Sequence, residues 1–238
     1  YATSGPRMQL RMFGGFEFEA GDADARDIAA VGYGGGVPMG GDLAQAPNGA
    51  PISLLIHAVK DPVGANLDRV QVIKGWLDDD GETHERVYDV AWAGQRTATN
   101  GMVQAIGSTV DVARATYENT IGSAEFSTVW VDPDFDPDER AFYYVRAIQN
   151  PTCRWSTYDA IRLGREPDPR VPATIRERAW SSPIWVDYMR TALKGLPSRD
   201  FEVPEGIVFQ RIDRETGLVA GTTDRNSYFQ PFLENTEP

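Results

Sequence analysis

Apolar and polar residues alternate in short runs through the first three-quarters of the chain, and turn chemistry closes each run. Residues 9–13 (QLRMF) alternate before a bend at Gly14 and Gly15. ISLLIHAV (52–59) and DRVQVIKGWL (68–77) carry the β-branched and large apolar residues that suit a pleated, half-buried surface. THERVYDVAW (83–92) follows DDDG, where Asp and Gly tolerate the positive φ of a hairpin turn. STVDVARATY (108–117), EFSTVWV (125–131) and AFYYVRAIQ (141–149) continue the series. Strands at this spacing predict a mainly β fold, an antiparallel sandwich-like domain.

Two stretches interrupt the rhythm. The Gly/Pro-rich residues 32–51 predict an irregular loop, and residues 156–180 predict two short helical turns between prolines. From Pro183 the period changes. Ile184, Trp185, Tyr188, Met189, Ala192 and Leu193 fall on one face of an amphipathic helix that Gly195 would end. GIVFQRIDRETGLVA (206–220) then reads as strand, turn at RETG, strand, and the last residues look frayed.

A chain of 238 residues with a net charge of −12 lacks the clustered Lys and Arg that phosphate backbones require, which argues against a nucleic-acid partner. No apolar run reaches the roughly 18 residues of a membrane span. Cys153 is the only cysteine, so no intrachain disulfide forms. The opening YATSGPRMQL has no initiator Met and no export signal, and the chain reads as a fragment.

None of the chemistry-bearing clusters completes an active site. The two histidines, His57 and His84, are too few for a His-rich metal centre. DPDFDPDE (132–139) alternates Asp like a calcium loop, but Pro137 and Tyr143 stand where an EF-hand needs Gly and Glu, so a solvated hairpin is expected. DDDGETHE (78–85) is read the same way, with Asp78, Asp80 and Glu82 able to converge. The glycines of residues 32–41 are not followed by Lys-Ser/Thr and make no phosphate loop. Cys153 has no spacing that pairs it with a base and is expected to be structural.

Several long motifs carry a resemblance. YATSGPRMQLRMFGGFEF, GVPMGGDL, KDPVGANLDRVQVIKGWLDDDGETHERVYDVAW, VWVDPDFDPDERAFYYVRAIQNPTCRWSTYDAIRLG and IRERAWSSPIW together resemble the C-terminal region of domain-of-unknown-function family 3604. That family is similar to metallohydrolases of the polymerase-and-histidinol-phosphatase (PHP) type. The resemblance implies a larger, exported parent, periplasmic or extracytoplasmic. Its N-terminal half would hold a divalent metal on His-x-His and carboxylates and hydrolyse a phosphate or related ester. None of those metal motifs occurs here, so no catalytic residue, metal ligand or cofactor is assigned to this chain. The missing catalytic half is the implied partner, and Thr3, Ser4 and Arg7 at the seam are candidates for touching an anionic substrate in the parent.

Residues 183–238 are similar to the C-terminus of class A penicillin-binding proteins. That chemistry needs Ser-x-x-Lys and Lys-Thr-Gly, and neither is present. The two resemblances overlap at SSPIW, between Ala179 and Val186, and divide the chain into 1–185 and 186–238. At the overlap a strand through Ile184 or Trp185 is expected to prevail over the helix, because its partner strands are in this chain. The expected role is a non-catalytic accessory fragment of a metal-dependent hydrolase. The alternatives are a piece of a peptidoglycan synthase, or a glycan-binding sandwich using Trp76, Trp92 or Trp130.

Overall fold

A computed structural model describes residues 1–44, 46–78, 80–186, 206–213, 216, 218–221, 227–234 and 236. The chain divides into two compact units, Tyr1–Lys194 and Gly195–Pro238.

The first unit is a sandwich of two sheets. The smaller sheet places β2 (Gln9–Gly15) between β3 (Val37–Pro38) and β5 (Ser53–Val59), with β8 (Glu125–Val131) beyond β5. The larger is built on β6 (Leu67–Leu77), which pairs β7 (Thr83–Trp92) on one edge and β9 (Arg140–Gln149) on the other. The far edge of β9 is shared. β12 (Arg178–Trp180) takes its C-terminal half and β13 (Ile184–Val186) its N-terminal half. β1 (Ala2–Thr3) extends β12, and β4 (Asp42–Leu43) extends β13 in parallel. The SSPIW overlap is therefore strand at Ile184–Val186, as expected from its available partners. The helix expected after it lies outside the described residues.

Inward-facing side chains from both sheets form one core. Leu10 and Met12 of β2 and Leu54 and Ile56 of β5 meet Val70 and Val72 of β6 and Tyr143 and Val145 of β9. Part of the outer face of the smaller sheet is covered as well. Helix α1 (Ile28–Gly35) lies against the smaller sheet, where Ile28 and Val31 pack on Phe13, Phe18 and Leu55. This two-sided burial explains why β5 is apolar at consecutive positions instead of alternating. It also shortens the irregular loop read over residues 32–51, because residues 32–35 belong to α1 while the rest holds only two-residue strands and a short turn. Gly32 is buried within α1, and a Cβ there would collide with the Phe13 ring, so the glycine permits close helix–sheet approach.

Other expectations change for local reasons. Residues 108–117 form no strand, because polar side chains capture the backbone first. Thr109 Oγ1 donates to the Glu118 carbonyl (2.6 Å), Asp111 Oδ1 accepts from Arg114 N–H (3.1 Å), and Ala115 turns at φ 50°. One helix, α2 (Trp155–Arg162), replaces the two expected turns. In the second unit, β14 (Ile207–Asp213) pairs over its full length with β15 (Ser227–Leu233), the segment that reads as frayed. The RETG return contributes one bridge, Ile212 to Val219.

The acidic run 132–139 is solvated at residues 133, 134 and 136–138, as expected, but it crosses between the sheets instead of closing a hairpin, and Asp132 is buried. Lys74 lies on the core-facing row of β6, and its ammonium is 3.0 Å from Asp132 and 3.3 Å from Glu139. Asp132 also accepts from Tyr143 Oη (2.7 Å), and Lys74 donates to the Asp134 carbonyl (2.7 Å). Burial, together with the Asp132 carboxylate, pushes the Tyr143 phenol far above its ordinary value. The pair joins the two sheets at one end of the core with both side chains out of water. Lys74→Met leaves Asp132 buried without its cation, so we expect a loss of about 3–5 kcal/mol in urea denaturation. A loss below about 1 kcal/mol, the size of a surface pair, contradicts this placement.

Candidate functional site

The three seam residues do not converge on one point. Thr3 pairs with Ala179 in the ladder of β1 and β12. Ser4 closes that ladder: its N–H reaches the Arg178 carbonyl (2.9 Å), its hydroxyl accepts from Arg178 N–H (2.8 Å), and it donates to Glu177. Arg7 turns the other way, over Asp61, which accepts the Arg7 N–H at 2.6 Å. Its guanidinium is largely exposed, 3.7 Å from the same carboxylate.

Between Ser4 and Arg7 the chain borders a cleft of about 300 Å3. Asp61, Gln149, Thr152 and Glu177 supply its polar side chains, and Tyr117, Trp155 and Tyr158 its aromatic ones. A short ladder between β10 (Thr152–Cys153) and β11 (Thr174–Ile175) brings Glu177 beside the start of α2. Arg154 N–H and Thr157 Oγ1 both donate to the Ala173 carbonyl, at 3.0 and 2.8 Å, which fixes the helix that carries Trp155 and Tyr158. Tyr117 comes from the long loop after β7, and its hydroxyl donates to the Val63 carbonyl (3.1 Å). Asn119 anchors the same loop by accepting from Asn66 N–H (2.8 Å) and donating to the Gly64 carbonyl (3.1 Å).

The electrostatics of the cleft follow from its walls. The Arg7 backbone N–H is the main influence holding the Asp61 carboxyl below its ordinary value, against an opposing effect of burial. Burial raises the phenols of Tyr117 and Tyr158, so both stay neutral donors near neutral pH. Cys153 also lines the cleft, but burial raises its thiol and leaves it a poor nucleophile, in line with a structural role. Gln149 is 2% exposed, and its Oε1 has no hydrogen-bond donor among the described residues.

A larger polar cluster lies behind this cleft. Asp68 is fully buried, and its carboxylate accepts from Arg69 Nη1 (2.7 Å), Arg96 Nη1 (2.6 Å) and Arg176 Nη1 (2.8 Å). Arg69 Nε also lies 3.1 Å from Asp89, which accepts from Gln71 Nε2 (2.7 Å) and Val103 N–H (2.6 Å). These groups are occupied with one another and hold the long loop on the sheet. The sequence pattern points to neither this cluster nor the cleft. Its available signal was charge where the strand pattern calls for apolar side chains, at Asp68, Arg69 and Lys74 of β6.

The remaining candidates are local contacts. His84 stacks on Trp76 and bonds Asp78 (2.7 Å), while Asp78 also accepts from the Asp80 and Glu82 N–H groups. DDDGETHE is thus a closed turn. His57 is on the other sheet, 3.9 Å from Glu125. Among the described residues no three His, Cys, Asp or Glu side chains are arranged to hold a metal ion, and none of their helices is long and apolar enough to cross a membrane.

Residues 1–188, the whole sandwich, match the family described as a protein of unknown function (DUF3604). The chain belongs to the DUF3604 family. This DUF3604 chain also has short matches to curated proteins. It is 35% identical over 65 residues to penicillin-binding protein 2D of Bacillus subtilis (strain 168), covering 27% of this chain and 9% of that protein. It is 43% identical over 56 residues to penicillin-binding protein 1A of Vibrio cholerae, covering 24% and 7%. The corresponding protein of Escherichia coli (strain K12) is 41% identical over 59 residues, covering 24% and 7%. The chain thus spans less than a tenth of the length of these relatives. No solved structure matches it.

Because Asp61 titrates lower in the folded state, the stability it contributes is full above its ordinary value of 3.8 and is lost as pH falls through the lower native value. The Tm gap between the native chain and Asp61→Ala should be constant around neutral pH and shrink below pH 3.8. A gap that widens on acidification contradicts this role.

Proposed function

We propose that the DUF3604 part of this chain is the non-catalytic accessory sandwich of a larger exported metal-dependent hydrolase. The observation that carries the reading is the fate of its buried charges. Lys74 is buried against Asp132, and the buried Asp68 carboxylate is held by three arginines, so these charges serve structural contacts. A general acid, base or nucleophile needs an accessible atom to exchange a proton or form a bond. Support for the hydrolase parent is the similarity of the family motifs to PHP-type enzymes. In that parent a divalent metal and the chemistry would reside in the missing N-terminal half, outside the cytoplasm, and Thr3, Ser4 and Arg7 would mark the junction. Ser4 and Arg7 serve the sandwich itself here, so their proposed contact with an anionic substrate depends on what the other half brings to them.

A second reading concerns the tail. In it, residues 186–238 are a segment of a penicillin-binding protein joined to the sandwich near residues 180–186; its support is the short matches to such proteins, at 35–43% identity over 56–65 residues. In this reading the tail is likewise non-catalytic, since Ser-x-x-Lys and Lys-Thr-Gly are missing from the chain.

One assay series tests both readings. The purified chain, given Mn2+, Zn2+ or Mg2+ with p-nitrophenyl phosphate or bis-p-nitrophenyl phosphate, should show no turnover above a protein-free control. A fluorescent penicillin should leave no covalent label. Turnover that scales with protein and is abolished by EDTA contradicts the non-catalytic assignment, and covalent labelling contradicts the reading of the tail.

A further inference from the structure

The aromatic cleft beside Ser4 has features that no packing role accounts for. Trp155 is 74% exposed although it is among the largest apolar side chains of the molecule. It meets Tyr158 edge-on, with ring centroids 6.2 Å apart, and the two rings form a corner. Tyr117 stands on the opposite loop, held by its bond to Val63. On the floor, Gln149 is buried while its Oε1 lacks a donor, an arrangement that native interiors rarely leave uncompensated. The cleft therefore offers exposed aromatic faces above an unfilled acceptor.

Charge narrows what fits. Among the described residues no Lys or Arg lines the cleft, so they offer an anion no counter-charge inside it. Two carboxylates, Asp61 and Glu177, would favour a cation, but both are already engaged. Arg7 Nε lies 3.7 Å from Asp61, and Lys60 Nζ sits just behind, donating to the carbonyls of Asp61 (3.0 Å) and Gly64 (2.9 Å). Glu177 accepts from Ser4. The remaining complementarity is to a neutral molecule with an apolar face and hydroxyl or amide donors at its edge. A pyranose ring has that form: its C–H face lies on an aromatic ring and its hydroxyls reach acceptors. A volume of about 300 Å3 is at the lower end for small-molecule sites and suits one or two such rings.

We propose that the cleft formed by Tyr117, Gln149, Trp155 and Tyr158 binds a sugar unit of a neutral glycan. Trp76, Trp92 and Trp130, the tryptophans that the sequence offers for such a role, lie outside this cleft and are partly buried. Trp76 and Trp130 pack on the core, Trp76 stacks on His84, and Trp92 donates to the Arg96 carbonyl (3.0 Å). The proposal concerns binding alone and does not depend on the chemistry of the parent.

The test is titration of the full chain, followed by tryptophan fluorescence, with maltotriose, cellotriose, mannotriose and chitotriose up to about 10 mM, a range that captures weak sites. At least one trisaccharide should give a saturable change. Trp155→Ala should weaken it by about tenfold or more without altering Tm, because the side chain is exposed. Gln149→Leu should also weaken binding while Tm holds or rises, since an apolar side chain removes the unfilled acceptor. The proposal is overturned if no trisaccharide gives a saturable signal, if Trp155→Ala binds as well as the native chain, or if tetramethylammonium or inorganic phosphate binds in the cleft and the sugars do not.

Discussion

The Asp68 carboxylate is the constraint on which the outer face of the larger sheet depends. It is fully buried at the start of β6 and takes three guanidinium groups, each from a different direction. Arg69 belongs to the same strand. Arg96 belongs to the long loop after β7 and reaches further, donating to the carbonyls of Ala93 (2.8 Å) and Gln104 (2.7 Å). Arg176 precedes Glu177 and the last strands of the sheet. One carboxylate thereby ties together a strand, a loop of about thirty residues and the segment that returns to the edge. Removing the charge from such a buried site leaves several cations uncompensated.

The cleft inherits its shape from this arrangement. Tyr117 is carried by the loop that Arg96 anchors, and Glu177 follows Arg176 directly. The opposite end of the sandwich uses the same device, with Lys74 on the core row of one sheet held by Asp132 at the end of β8 in the other. In a chain with a net charge of −12, the buried carboxylates Asp68, Asp89 and Asp132 are each set against a cation that joins elements. The ionic groups inside the sandwich organise it, and recognition is left to uncharged groups at its edge.

Much of the sandwich was legible in the sequence. The runs at 83–92 and 125–131 coincide with β7 and β8, because their alternation and turn residues agree with the final pairing. DDDG predicted the tight turn between β6 and β7, and Gly81 adopts φ 83° there. What escaped depends on contacts distant in sequence. Gly32 reads as a loop residue until Phe13 is seen to occupy the space a side chain would need. DPDFDPDE reads as solvated until Lys74, about sixty residues earlier, is found on the same end of the core. The Ser4–Arg7 seam was located as a place of interest, but not the aromatic wall beside it. Trp155 and Tyr158 come from α2, and Tyr117 from a segment that looked like a strand until its own side chains claimed its backbone.

Hydrogen exchange of Asp68→Asn compared with the native chain tests the central claim most directly. Losing the buried charge should raise exchange in the loop of residues 94–121 and at residues 174–178, while β2, β5 and β8 of the smaller sheet keep native protection. Unchanged protection of that loop and of residues 174–178 would contradict the role assigned to Asp68.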